Sequence, residues 1–279
     1  MTRQAPAAAL IVVMALLVLA VGCSRVTFVR PDVDRKGFER TAPEVDVRTD
    51  DRRSGANAAR RLVARGGQLM AAGDLAAAED AAKQAVKLAP DSAQAHTLLA
   101  LLTDRRGDAA SAGKHYLRAA ELAPTQGGML NNYGTWLCGQ GRHMESLDWF
   151  GQALADRSYA TPAVALANAG ACAHRAGADE RAARYLAASI EVDPTNPVAL
   201  GVLAEREFRS GDPLRARAFS QRRLAAAPAD AASLLLASQI EEKLGDKRAA
   251  ARYVQQIRAE FPAAPVTETG EVGSDESVQ

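Results

Sequence analysis

The sequence predicts an all-α fold, an α-solenoid of six helix-turn-helix repeats, and three observations carry that prediction. Glycine recurs at Gly73, Gly107, Gly141, Gly177, Gly211 and Gly245, in steps of 34, 34, 36, 34 and 34 residues. Proline stands 17 residues after five of them, at Pro90, Pro124, Pro194, Pro228 and Pro262, with Ser158 where the missing member would fall. Aromatic residues are only 5% of an alanine-rich chain, a composition that suits closely packed helices better than sheets.

Each element follows when the units are numbered so that the glycine is position 15. The units then begin at Ala59, Ala93, Gly127, Ala163, Pro197 and Ala231. Position 8 reads Gly66, Ala100, Gly134, Gly170, Ala204 and Ser238, and position 20 reads Ala78, Ala112, Ser146, Ala182, Ala216 and Ala250. All are small, as required where two helices cross with their backbones close together. Glycine at position 15 supplies the left-handed residue that ends the first helix. Asp74, Asp108, Asp212 and Asp246 follow it and are good caps for the second. Proline at position 32 cannot continue that second helix. A period of 34 is that of the tetratricopeptide repeat, TPR, so residues 58–262 are expected to be six TPRs.

Two features break the regularity. The two extra residues fall around Asp156, Arg157, Ser158, Tyr159 and Ala160, which predicts a longer turn and an early end to the second helix of repeat three. Position 27 reads Ala85, Ala119, Ala153 and Ser189, then Arg223 and Ile257, so the last two repeats are less regular.

The flanks have other characters. Residues 1–22 read as an export signal, with Arg3 before an apolar run that is short for a membrane span. The run ends in Leu19-Ala20-Val21-Gly22-Cys23-Ser24, which resembles the bacterial lipobox. That resemblance implies a lipid on Cys23, with Ala20 at the place where leucine is usual. Ser24 then points, by analogy, to the outer membrane. Residues 23–57 are mixed in charge with Pro31 and Pro43, and are read as a flexible tether. Residues 263–279 carry Glu268, Glu271, Asp275 and Glu276 and are read as a disordered acidic tail. A formal net charge of +1 gives no global field for nucleic acid.

One stretch is more specific than a generic repeat. Asn131-Asn132-Tyr133-Gly134-Thr135-Trp136-Leu137-Cys138, then Gly141-Arg142, Glu145-Ser146, Phe150, Tyr159-Ala160-Thr161-Pro162, Asn168, Gly170 and Cys172, occur in that order. This resembles the PilF/PilW family of type IV pilus biogenesis and stability lipoproteins, the secretin pilotins. The resemblance implies a protein on the inner leaflet of the outer membrane, facing the periplasm of a Gram-negative bacterium. Its partner would be the type IV pilus secretin, the outer-membrane ring whose assembly it promotes, in support of twitching motility. The membrane would be reached through the lipid anchor alone. The alternative is a TPR lipoprotein adaptor for another envelope machine, in outer-membrane protein assembly or cell-wall synthesis.

Candidate sites follow from the repeat positions. Val63, Met70, Leu98 and Leu101 lie on first helices and are candidates for an apolar groove that takes a partner helix or extended segment, or else for residues covered by a neighbouring helix. Asn131 and Asn132, with Asn168 one repeat later, offer carboxamides to an extended peptide or fix local structure. Cys138 and Cys172 are a candidate disulfide in an oxidising compartment, or two buried thiols. Family members carrying both cysteines imply the bridge, which would stabilise by very roughly 3 kcal/mol.

Catalytic readings find little purchase. His96, His115, His143 and His174 fall at unrelated repeat positions without metal-ligand spacing. Ser111 and Lys114 match a bare S-x-x-K without its companion motifs, and Glu241-Glu242 reads as a solvated helix face. The expectation is a binding protein, not an enzyme, with no cofactor, no metal and no nucleic-acid partner.

Overall fold

The computed structural model describes residues 47–263, with side chains from Arg53. The signal at 1–22, Cys23, the tether as far as residue 46 and the tail from 264 lie outside the described residues. Among the described residues every regular element is a helix. The order is α1 (Val47–Ala71), α2 (Leu75–Leu88), α3 (Ala93–Arg105), α4 (Ala109–Leu122), α5 (Gly127–Gly139), α6 (His143–Ala155), α7 (Pro162–Arg175), α8 (Asp179–Val192), α9 (Pro197–Arg209), α10 (Pro213–Ala226), α11 (Ala231–Lys243) and α12 (Lys247–Glu260). They pair in sequence as six antiparallel hairpins. The first helices of successive repeats touch one another (α3 with α5, then α7, α9 and α11), and each second helix packs on the first helix that follows. The odd-numbered helices therefore form one layer and the even-numbered helices the other. Among the described residues no helix is long and apolar enough to cross a membrane.

The hairpins are set by the six repeat glycines. Gly73, Gly107, Gly141, Gly177, Gly211 and Gly245 all have positive φ, between 69° and 86°, and among the described residues no others do. Each is the left-handed residue of a Schellman turn. In the first, the Gly73 N–H donates to the Met70 carbonyl and the Asp74 N–H to the Leu69 carbonyl, and the same pair of bonds recurs in all six. Asp74, Asp108, Asp212 and Asp246 then accept from backbone N–H groups in the first turn of the next helix.

The small pairs at positions 8 and 20 meet at the helix crossings. Ala100, Ala112, Ala182, Ala204 and Ala216 are fully buried, and Ser238 donates its hydroxyl to the Ala250 carbonyl across the last crossing at 3.2 Å. A Cβ at Gly170 would stand 2.7 Å from the Leu186 side chain and 3.2 Å from its backbone nitrogen. Nothing larger than hydrogen fits there.

Two boundaries depart from a uniform array. α1 starts at Val47, so its first turns lie in residues read as tether. Val47–Asn57 has no proline to stop a helix. The link between α6 and α7 is the longer one, and α6 ends one residue sooner relative to Ser158 than the other second helices do relative to their prolines. Asp156 organises this link. Its carboxylate accepts from the Gly127 N–H at the start of α5 (2.8 Å) and from the Ser158 N–H and hydroxyl (2.9 and 2.6 Å). The Ser158 hydroxyl, then the two N–H groups, hold its pKa below the usual aspartate value.

Candidate partner-binding site

Repeats three and four are built around α5 and α7. Cys138 on α5 and Cys172 on α7 form a disulfide with Cα atoms 5.8 Å apart, and both are buried. The Ser146 hydroxyl lies 2.9 Å from the Cys172 sulfur and the Arg175 guanidinium 3.7 Å from that of Cys138. His143 joins the two cysteines in a cluster whose ligand atoms lie within 4.8 Å of one another, but both sulfurs are committed to the bridge.

The aromatic residues of the same stretch are packing groups. Trp136 stacks on Tyr133 (5.9 Å), and Tyr133 meets Trp149 edge-on (4.9 Å). The Trp136 ring packs against Gly113 of α4, where a Cβ would stand 2.3 Å from it. Tyr133, Gly134, Leu137 and Cys138 all point into the interior. Most of the Asn131–Cys138 stretch thus builds the junction between repeats two, three and four.

The asparagines are divided between two tasks. Asn168 on α7 donates to the Asn131 side-chain oxygen at 3.1 Å and to the Thr135 hydroxyl oxygen at 3.2 Å. Asn131 is 6% exposed. This pair ties α5 to α7 and engages the amide donor group of Asn168. Both asparagines line a cleft of about 430 Å³ together with Asn132, Thr135, Leu101, Tyr116 and Trp136. Burial, then the nearby Asp104 carboxylate, pushes the Tyr116 phenol up to about 12, so it stays protonated over the physiological range.

The apolar candidates of repeats one and two divide as well. Leu98 is buried against Gly66, with Ala78, Ala82, Leu99 and Leu102, and Val63 and Met70 pack against that cluster. Leu98 is thus a core residue, and Val63 and Met70 are half-buried against it where α1 meets α3. Leu101 alone of the four lines an open cleft.

A further groove lies elsewhere, across α7, α9 and α11. It measures about 730 Å³ and is lined by Val198, Val202, Phe208, Leu235 and Leu236, with Arg175, Arg209 and Arg223 at its edges. Position 27 changes beside it. Ala85, Ala119, Ala153 and Ser189 are fully buried there in the first four repeats. Arg223 takes that position in repeat five and lines the groove. Its guanidinium donates to the Ala227 and Pro228 carbonyls (3.2 Å each) and pairs with Asp230 (2.7 Å).

Three side chains answer differently than their sequence positions imply. Glu241 is buried and paired with Arg217, whose Nε donates to it at 3.0 Å, so it is not part of a solvated face. His96 and His115 meet with their Nδ1 atoms 3.0 Å apart, while His96 Nε2 donates to the Pro90 carbonyl. His96 therefore accepts at Nδ1 and His115 donates. Desolvation, then the neighbouring His96, lowers the His115 pKa.

No family model matches the chain. The type IV pilus assembly protein PilF of Pseudomonas aeruginosa is 24% identical over 182 residues, which are 65% of this chain and 72% of PilF. The crystal structure of PilW, a widely conserved type IV pilus biogenesis factor, matches with a TM-score of 0.65 at 29% identity, covering 73% of this chain and 94% of PilW. The chain is a TPR protein similar to the PilF/PilW family. The structure of Pseudomonas aeruginosa PilF gives the same TM-score, 0.65, at 22% identity and covers 75% of this chain and 94% of PilF, a likeness of fold. The shared scaffold is an array of protein-interaction repeats.

Proposed function

We propose that the chain is an outer-membrane lipoprotein that acts as pilotin and assembly factor for the type IV pilus secretin. Cys23 carries the lipid that places it on the inner leaflet, facing the periplasm. The repeat array holds the secretin by protein–protein contact, without catalysis. The observation that carries this reading is the likeness to PilW across 94% of that chain, together with the ordered block from Asn131 to Cys172. The block builds one rigid junction, and rigid junctions keep the open clefts on either side in shape for a partner.

Deletion of the gene is the direct test. Heat-resistant secretin multimers and twitching are expected to be lost, and to return with the wild-type gene. Normal multimers and normal twitching in the deletion strain contradict the reading and leave an adaptor for another envelope machine. In the Cys23→Ala variant the repeat domain is expected to keep its helical circular dichroism while leaving the outer-membrane fraction. Unchanged fractionation contradicts the anchor.

A further inference from the structure

We propose that the groove across α7, α9 and α11 is occupied by the chain's own acidic C-terminal segment, residues 264–279, which a partner must displace. The groove itself is the first ground. It measures about 730 Å³, much of its lining is apolar, and Val198 in that lining is 43% exposed. Gly201 in the same lining differs from the glycines at helix crossings. A Cβ built on it meets nothing closer than the Arg223 side chain at 4.0 Å, whereas at Gly66, Gly113 and Gly170 a neighbouring side chain stands within 2.7 Å. Glycine inside a helix costs about 1 kcal/mol relative to alanine. No close packing explains it here, and its bare backbone widens the groove.

Charge is the second ground. Arg175, Arg209 and Arg223 edge the groove against two carboxylates, Glu205 and Asp230. Arg209 pairs with Glu205 and Arg223 with Asp230, both within 2.7 Å. Arg175 is left exposed, its described contact being the Cys138 sulfur. The segment 264–279 has Glu268, Glu271, Asp275 and Glu276, no lysine and no arginine, and Val266, Val272 and Val278 spaced among the acids. It offers apolar side chains to the floor and carboxylates to the cationic edge.

Geometry is the third. α12 runs antiparallel to α11, so the chain returns after Glu260 toward the start of α11, the end at which Asp230, Ala232 and Ser233 line the groove. From there an extended segment of this length reaches about 50 Å. The α11 stretch along the groove needs roughly 14 Å. A tethered segment on so short a link has a millimolar effective concentration, so a contact of only millimolar intrinsic affinity is already half populated.

A nitroxide placed on the segment tests this. The full chain in detergent, carrying Cys23→Ala and Ser274→Cys, has the label site as its one free thiol, because Cys138 and Cys172 are bridged. Paramagnetic broadening of the Val198, Val202, Leu235 and Leu236 methyls is expected, with loss of most of their signal for a half-populated contact in fast exchange. The broadening is expected to fall at about 0.5 M salt, where screening shortens to a few ångströms. It is also expected to vanish in Gly201→Trp, which fills the groove, and to weaken in Arg175→Glu, which does not. Circular dichroism checks that both variants are folded. Methyls unaffected by the label, broadening on the outer face of α10 and α12 instead, or broadening that survives in folded Gly201→Trp overturns the proposal. These outcomes are read on the isolated chain and are independent of the secretin reading.

Discussion

Repeats three and four are joined by a disulfide and an asparagine pair, and a wedge of aromatic rings seats repeat three on repeat two. Repeats five and six share the same register yet are joined by arginines. In the first region α5 and α7 carry Cys138 against Cys172 and Asn131 against Asn168. In the second, Arg223 replaces a small residue at the link, and Arg217 reaches the buried Glu241. The lesson is that one repeat register fixes where helices cross but not how tightly successive repeats close.

Removing the bridge is the strongest way to break the contrast. The disulfide closes a loop of sequence separation 34, and chain entropy alone makes such a closure worth about 3–4 kcal/mol. Cys138→Ala with Cys172→Ala is expected to lower the urea midpoint of repeats three and four until it approaches that of repeats five and six. Unfolding followed by hydrogen exchange resolves the two regions. An unchanged order of exchange shows that the asparagines and aromatic rings alone set the difference.

Alanine at two glycines sharpens the contrast, because opposite signs are expected. At Gly170 the new methyl meets the fully buried Leu186, including its backbone nitrogen at 3.2 Å. Overpacking exceeds the gain in helix preference, for a net loss of about 1–2 kcal/mol. At Gly201 the methyl enters open groove, and the reduced freedom of the unfolded chain stabilises by about 0.4–1 kcal/mol. Thermal midpoints of the two variants check both signs.

Much of this fold was legible because its constraints are local. A left-handed residue demands glycine, a close crossing demands a small side chain, and a stopped helix tolerates proline. Those demands recur at fixed spacing, so the six turns, their caps and the longer link at Asp156 could be read from residues alone. The contacts that escaped are those between helices, where spacing says nothing of partner. His96 and His115 stand at unrelated positions of one repeat but face each other across its hairpin. Glu241 reads as a surface carboxylate until Arg217 is placed beside it. Trp136 and Gly113 belong to different repeats, and only packing shows that the glycine is there for the ring. Position singled out Asn131 and Asn168, and only the structure shows that they hydrogen-bond to each other.

The smallest effect concerns the link that sets the two regions apart. Asp156 joins the start of α5 to the turn before α7, and its pKa is lowered first by the Ser158 hydroxyl and then by the Gly127 and Ser158 N–H groups. A depressed folded pKa means that the unfolded chain binds the proton more readily. The carboxylate's stabilisation is therefore complete above the ordinary aspartate value of about 3.8 and is lost as pH falls through the lower folded value. Asp156→Asn retains the shape without the charge, so its stability is expected to lie below wild type at neutral pH and to converge with it in acid. Urea midpoints of the two proteins from about pH 6 to about pH 2 check this. If the curves stay parallel over that range, the side chain holds the link by shape alone. The rigidity of repeats three and four then rests on the bridge and the asparagine pair.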